Sequence, residues 1–437
     1  MKLLLPSQTV RLCLSIAIGL CVCTAGHCSD WPQFRGPGST ATAADAKPPL
    51  KWSEKEGITW KLELPGPGSS SPIVFGERVF ITYYTGYGTD AAKGGAPDKL
   101  QRHLACIDRK TGKVRWAADV ATVVPESGYK GYIREHGYAS STPVTDGEAV
   151  YVFFGKSGVL AFDFDGKKLW QASVGTKSDV RGWGSAASPV LVGNLVIVNA
   201  SSESRAVVAL DKKTGKQVWK AEGSGLSLAF GTPALVKASA DRTDLVVAMP
   251  GEVWGLEPAT GKSRWKTTIK PSGNICPAVI AGDGVAFITG GYETKASVAL
   301  KVGGDASKAN ILWSINQSSY VPTPVLHNGN LYCVDDYGIA WCVNAEKGTQ
   351  VYKERLTIRG VQSGLSRPFY ASAVVADGRL YAVSRKDGVF VLKVGDTFEQ
   401  LTQNPPLDDS DFNATPALAG TQLFLRSNRF LYCIEAK

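Results

Sequence analysis

Ala209-Leu210-Asp211-Lys212-Lys213-Thr214-Gly215-Lys216-Gln217-Val218-Trp219 is the stretch on which the reading of the fold turns. An apolar run ends at an Asp, a Thr-Gly turn follows, and a second short run delivers a Trp. The same spacing returns from Cys106 through Asp108, Thr111 and Gly112 to Trp116, and from Gly255 through Glu257, Thr260 and Gly261 to Trp265. Looser copies end at Trp170 and Tyr352, and a decayed one at Trp313. A small unit repeated at a near-fixed period is an array, in which each unit buries its apolar surface against its neighbours.

Each unit opens on a Ser/Thr-x-Pro or Thr-Pro corner, or on its remnant. Pro72, Pro143, Pro189, Pro233, Pro277, Pro324 and Pro416 mark seven openings, and Ala373 marks an eighth. From Pro143 the spacings are 46, 44, 44, 47, 49 and 43 residues, the length of four short strands with their turns. Within one unit, Pro189 leads through Val190 to Val192, a Gly193-Asn194 turn, Leu195 to Asn199, Ala206 to Leu210, and the strand that carries Trp219. No unit shows helical periodicity over a useful length. Eight four-stranded antiparallel sheets packed radially make an all-β, eight-bladed β-propeller.

The chain ends supply a separate argument for closure. After Pro416 the last unit has strands at Leu423 to Leu425 and Phe430 to Ile434, then stops without its Trp-bearing strand, while Gly57-Ile58-Thr59-Trp60-Lys61-Leu62 precedes the first corner. Pairing this N-terminal strand with the C-terminal blade completes the eighth sheet and removes the open edges. The expected organisation is a signal peptide over 1–25, an extended segment over 26–56, and one propeller domain over 57–437.

The repeated tryptophans, Trp60, Trp116, Trp170, Trp219, Trp265 and Trp313, then have a structural task. Each ring covers the Gly turn of an adjacent repeat, where a missing Cβ permits close approach. The Ala-x-Asp-x-x-x-Gly-x-x-x-Trp pattern resembles the tryptophan-docking motif of pyrroloquinoline quinone (PQQ)-repeat propellers. That family includes quinoprotein alcohol dehydrogenases and the periplasmic scaffold lipoprotein of the outer-membrane β-barrel assembly machine. Trp31-Pro32-Gln33-Phe34-Arg35-Gly36-Pro37 is similar to the opening of exported proteins with such repeats. The resemblance spans residues 30–437 and implies the fold; one fold hosts many functions.

Lys2 and Arg11, the apolar run from Leu12 to Cys23, and small residues near Ala25 read as a cleavable secretory signal. The apolar run is too short for a permanent membrane anchor. No cysteine there follows the Leu-small-small pattern of a lipoprotein signal, so the expectation is a soluble extracytoplasmic protein, periplasmic or secreted, and monomeric. Cleavage removes two cations and no acid, taking the formal charge from +9 to +7. Without a dense Lys/Arg block, nucleic acid is not an expected partner. Cys333 and Cys342 have two readings. A two-residue turn at Tyr337-Gly338 would set them opposite each other for a disulfide; alternatively Cys106, Cys342 and Cys433 fill the small apolar slot occupied elsewhere by Ala161 and Ala209.

In a blade the loop between second and third strands and the link to the next blade emerge on one face. Two long loops of the first blade, residues 82–103 and 118–138, share it, as long loops on rigid scaffolds with a functional role do. Candidates for a ligand or partner face are Tyr84, His103, Arg134, His136, Lys156, Arg181, Trp183, Arg205, Arg359, Arg367, Tyr370 and Arg385. Tyr320 and the acidic run Asp408-Asp409-Ser410-Asp411 join them. Mixed Arg and aromatic residues are what interfaces use. His136 is an acid–base candidate or a hydrogen-bonded structural residue. No metal-ligand spacing, Gly-x-Ser-x-Gly elbow or phosphate-binding Gly loop occurs, so no metal is expected.

The function expected is a non-catalytic exported scaffold that binds a protein or polymer on this face, with no cofactor. Two alternatives are a PQQ- and calcium-dependent alcohol or sugar dehydrogenase and a polysaccharide-acting enzyme. The adjacent Cys-Cys pair common in the dehydrogenases is missing, and no catalytic residue can be matched; Trp183 with Arg181 or Arg359 would be the pair to sandwich a carboxylated quinone.

Overall fold

A computed structural model describes residues 30–89, 95–303, 310–358 and 366–436. It contains eight sheets, each with four antiparallel strands at its heart, arranged as the blades of a propeller. Blade 3 shows the rule: Val190–Val192, Leu195–Ala200, Ala206–Asp211 and Gln217–Glu222 pair in chain order. The middle strands are almost continuously buried because neighbouring blades cover both faces. Blade 8 consists of Ala417–Ala419, Gln422–Arg426 and Phe430–Glu435, completed by Ile58–Glu63 from the other end of the chain, with Trp60 opposite Cys433. Thus the ring closes by pairing of the two ends of the fold.

The repeated turn works through its side chains. Asp211 Oδ1 accepts from both the backbone N–H and the hydroxyl of Thr214 at 2.8 Å, and Asp108 does the same with Thr111. Gly215 and Gly261 adopt positive φ, and a Cβ at Gly261 would stand 2.4 Å from the ring of Trp219. The rings of Trp60, Trp116, Trp170 and Trp313 lie in the same way over Gly112, Gly166, Gly215 and Gly348. Each indole N–H also reaches the neighbouring turn: Trp60, Trp116, Trp170, Trp219 and Trp313 donate to the carbonyls of Arg109, Phe164, Lys212, Pro258 and Ala345 at 2.8–3.0 Å. A one-residue bulge sits beside each of these tryptophans in its outer strand pairing, the device that re-aims a side chain in a sheet.

Trp265 is placed differently. It packs over Gly255 of its own blade and donates to Asp244 Oδ2 at 2.7 Å, a carboxylate also held by Arg242 and Arg264. The corresponding turn of the following blade falls at 304–309, outside the described residues.

Around the axis the Ser/Thr-Pro corners form a second connection. The backbone N–H of Ser71, Thr142 and Ser188 donates to the hydroxyl of Thr142, Ser188 and Thr232 respectively, linking blades 1 to 4. Ala278, Thr323 and Ser372 donate likewise to Thr323, Ser372 and Thr415, linking blades 5 to 8. All six bonds measure 2.9–3.0 Å. Between blades 4 and 5 the ring position is Ala278, which has no hydroxyl, and Val279 N–H bonds to Thr232 O instead. Blade 5 therefore has Pro277 before its ring residue, where six other corners place the Pro after it and blade 7 has Ala373 there.

The segment before the closing strand occupies the channel. Trp31 pairs with Val74 of blade 1, Thr145 of blade 2 donates to Pro32 O, and Thr42–Ala43 adds a parallel strand to Val374–Ala376 of blade 7. Arg35, fully buried, donates to the carbonyls of Thr323 and Pro324 in blade 6. Residues 31–43 are a plug held by the inner strands of four blades. Chain continuity then carries residues 46–52 past blade 8, where Lys47 N–H donates to Gly420 O, and blade 7, where Tyr381 donates to Pro48 O and Asn404 bonds to Leu50 O and the Trp52 N–H.

Cys333 and Cys342 are both free. Val334 pairs with Ala340 across the hairpin, leaving residues 335–339 between them, so Cys333 faces Trp341 and Cys342 faces Tyr332 across the ladder. A register step of one residue turns the two thiols to opposite faces of the sheet, which corrects the expectation of a directly opposed pair.

Candidate functional site

The plug closes the channel from one end and leaves a cup of about 170 Å³ at the other, on the face with the long loops. Phe34 from the plug lies at its base, and Tyr132, Trp183, Phe230, Tyr320 and Tyr370 form the wall. The positions follow from the repeat. The residue two before each ring position lines the cup in all eight blades: Ser69, Ser140, Ala186, Phe230, Cys276, Val321, Tyr370 and Asn413. The propeller axis thus turns one repeat position into a circle of side chains.

The wall is a chain of ring contacts. Trp183 meets Phe230 at 5.8 Å and Tyr132 at 4.6 Å, and Tyr320 meets Tyr132 at 6.1 Å and Tyr292 at 5.9 Å between centroids. Three arginines stack on this wall: Arg181 on Trp183, Arg367 on Tyr320 and Arg385 on Tyr370, at 5.2, 4.3 and 4.6 Å. Arg385 is buried and ion-paired with Glu135 and Asp411 at 2.6 and 2.7 Å; Arg367 lies 3.7 Å from Asp336. Tyr292 and Tyr337 stand 53% and 40% exposed on the rim, with Lys295 and Arg367 near the Tyr337 ring.

His136 ends a one-turn helix, Ile133–His136, and joins two links. Its Nε2 donates to the Trp183 carbonyl at 3.0 Å and its Nδ1 receives the Ser140 hydroxyl at 2.6 Å, with the ring neutral. Burial holds its pKa down to about 4. In this state the imidazole is a brace for Trp183.

The remaining sequence candidates divide by place. Tyr84 is buried and donates to Gly88 O, edge-on to Tyr138. His103 lies in the strand Gln101–Asp108, stacked on Tyr83, bonded to Asp119 and Thr85. The first blade's middle strands reach Thr85 and begin again at Gln101, so the ladder extends into what reads as loop in the sequence. Lys156 is buried with its ammonium on Pro125 O at 2.5 Å. Arg134 is exposed and donates to Tyr129 O. Arg205 is exposed in a left-handed conformation after the helix Ser201–Ser204. Arg359 lies outside the described residues. Of the candidates, His136, Trp183 and Tyr370 line the cup, while Arg181, Arg367 and Arg385 stack behind it.

Beside the cup lies a smaller polar cavity of about 20 Å³, room for a water or two. It contains the buried Arg102–Glu126 pair at 2.6 Å and the buried Glu203. Glu203 Oε1 accepts from Ser185 at 2.5 Å, Oε2 has no partner, and burial raises its pKa to about 7.

Three functional arrangements are testable against this geometry. Among the described residues no cluster of three or more His, Cys, Asp or Glu side chains could hold a metal. Among the described residues no Lys or Arg lines the cup, so none of them offers a carboxylated quinone a cationic partner there, and the cup is smaller than the ~300–1,000 Å³ of ordinary ligand pockets. Glu135 is the single acid among the described residues that line it and is committed to Arg385, whereas glycoside hydrolysis takes two carboxyl groups. Cys276 is a thiol whose pKa burial pushes up to about 12, far from a thiolate nucleophile.

The eight four-stranded blades with Trp-over-Gly contacts are those of a PQQ-like propeller. The family model described as "Outer membrane protein assembly factor BamB" matches residues 100–354, and the chain belongs to that family. It is 23% identical over 367 residues to the outer membrane protein assembly factor BamB of Burkholderia pseudomallei, covering 82% of this chain and 81% of that one. The fold is similar to that of BamB from Moraxella catarrhalis, at a TM-score of 0.58 and 11% identity over 87% of this chain and 97% of the other. It is similar too to a europium-containing methanol dehydrogenase, at a TM-score of 0.63 and 12% identity over 91% and 89%. Among the described residues no helix is long and apolar enough to cross a membrane.

Proposed function

We propose that the chain is an extracytoplasmic, non-catalytic scaffold that docks a protein partner on the face carrying the long loops. The observation that carries this reading is the rim. Tyr292 and Tyr337 are the two tyrosines among the large apolar side chains left exposed among the described residues, and both stand on this face, with Lys295 and Arg367 beside Tyr337. Tyr, Trp and Arg are the residues that concentrate binding energy at protein interfaces. Family membership supports the same reading, since the related protein of Burkholderia pseudomallei is named for outer-membrane protein assembly.

The test is co-purification from the native host with wild type and with the Tyr292→Ser/Tyr337→Ser double variant. Loss of a specific partner from the variant, with its melting midpoint unchanged, supports docking on this rim. Equal recovery of that partner removes the rim from the account.

A further inference from the structure

The cup combines two chemistries that a purely apolar occupant would leave half used. Its wall is aromatic, but the ring hydroxyls of Ser71, Thr142, Ser188, Thr232, Thr323 and Ser372, with Thr415, also line it. All of these except Ser71 accept a backbone N–H, and none of the seven has an acceptor for its own proton among the described residues. Ser69 Oγ and Asn413 Oδ1, on two more lining residues, are buried without a hydrogen-bond partner. Among the described residues the cup is also electrically neutral: none of its lining residues is Lys or Arg, and Glu135 is paired with Arg385.

We propose that the cup binds one uncharged pyranose ring of an oligosaccharide. A pyranose presents a C–H face, which packs on aromatic rings, and an edge of hydroxyls that both donate and accept. The wall of Trp183, Tyr132 and Tyr320 meets the first, and the hydroxyl circle with Asn413 Oδ1 meets the second. A charged sugar would lose its hydration without gaining a counter-ion. A partner's Phe or Tyr side chain would fill the space and leave the hydroxyl protons without acceptors, a cost of about 1–3 kcal/mol for each group left buried and unsatisfied. The volume of about 170 Å³ admits one ring, so the rest of the oligosaccharide extends over the rim. This inference stands apart from protein docking on the rim, and either can fail alone.

The experiment titrates the purified chain with neutral gluco-, manno-, galacto- and N-acetylglucosamine oligosaccharides and with a uronate oligomer, following tryptophan fluorescence and heat. Saturable binding of a neutral series is expected, with no binding of the uronate. Trp183→Ala should weaken it by about tenfold or more, and Tyr320→Ala serves as the second variant should Trp183→Ala fail to fold. No binding of any neutral sugar up to about 10 mM, or binding unchanged in a folded variant, overturns the proposal. So does a Phe- or Tyr-bearing peptide that binds with the Trp183 dependence the sugars lack.

Discussion

Glu203 and His136 give the fold two opposed pH responses. The Glu203 carboxyl is raised to about 7 from 4.5 by burial, so its favourable contribution is full below pH 4.5 and is lost as pH rises through 7. His136 is depressed to about 4 from 6.5, so its contribution is full above pH 6.5 and is lost as pH falls toward 4. Between about 4.5 and 6.5 the two slopes oppose each other. Glu203→Gln removes the alkaline cost, and its melting midpoint should gain on wild type between pH 5 and pH 8 by the equivalent of up to ~3 kcal/mol. His136→Gln should flatten the loss on acidification. A Glu203→Gln variant that follows the wild-type curve at both pH values would show that this carboxyl is not desolvated. The role of Glu203 is not legible in the sequence, whereas His136, flanked by Glu135 and Gly137, reads as an acid–base candidate or a hydrogen-bonded structural residue, and the carbonyl of Trp183, 47 positions away, makes it a brace.

At the scale of the element, the turn and the outer-strand Trp carry the array. Trp219 is 7% exposed, lies on Gly261 and bonds to Pro258 O, so Trp219→Ala should cost ~3–5 kcal/mol, read from the fall in melting midpoint. The hydroxyl ring offers the opposite experiment. Ala278 leaves the link between blades 4 and 5 without a hydroxyl acceptor, and Ala278→Ser supplies one; a gain of about 0.5–1.5 kcal/mol is expected in thermal or denaturant unfolding. The Asp-Thr-Gly-Trp spacing made blades and strand order legible because turn chemistry is local, and the incomplete last unit with the strand around Trp60 made closure legible. The cup was legible in part. Trp183, Tyr370 and the stacked arginines stand out as Arg and aromatic residues in the links, but Phe230 and Asn413 do not. Their signal was positional, two residues before the corner hydroxyl, and it acquires meaning only when the ring closes. Cys333 and Cys342 fail because the sequence does not fix the register of the hairpin: a shift of one residue moves a side chain to the other face.

For the whole molecule, the plug and the closing strand explain why one end of the axis is sealed and the other is a site. Residues 31–43 touch blades 1, 2, 6 and 7, and Ile58–Glu63 completes blade 8, so the N-terminal segment fastens the ring from inside and outside. A rigid ring with one sealed end presents the long loops, the aromatic rim and the cup to one side. The most direct measurement of the scaffold account is site-specific photo-crosslinking in the native host, with the reactive residue at Tyr292 or Tyr337 on that face and at Lys213 or Lys347 in the turns of the other. The account predicts a discrete crosslinked protein from the two rim positions and none from the two turns. The same partner captured from the turns, or none captured from the rim, would contradict it.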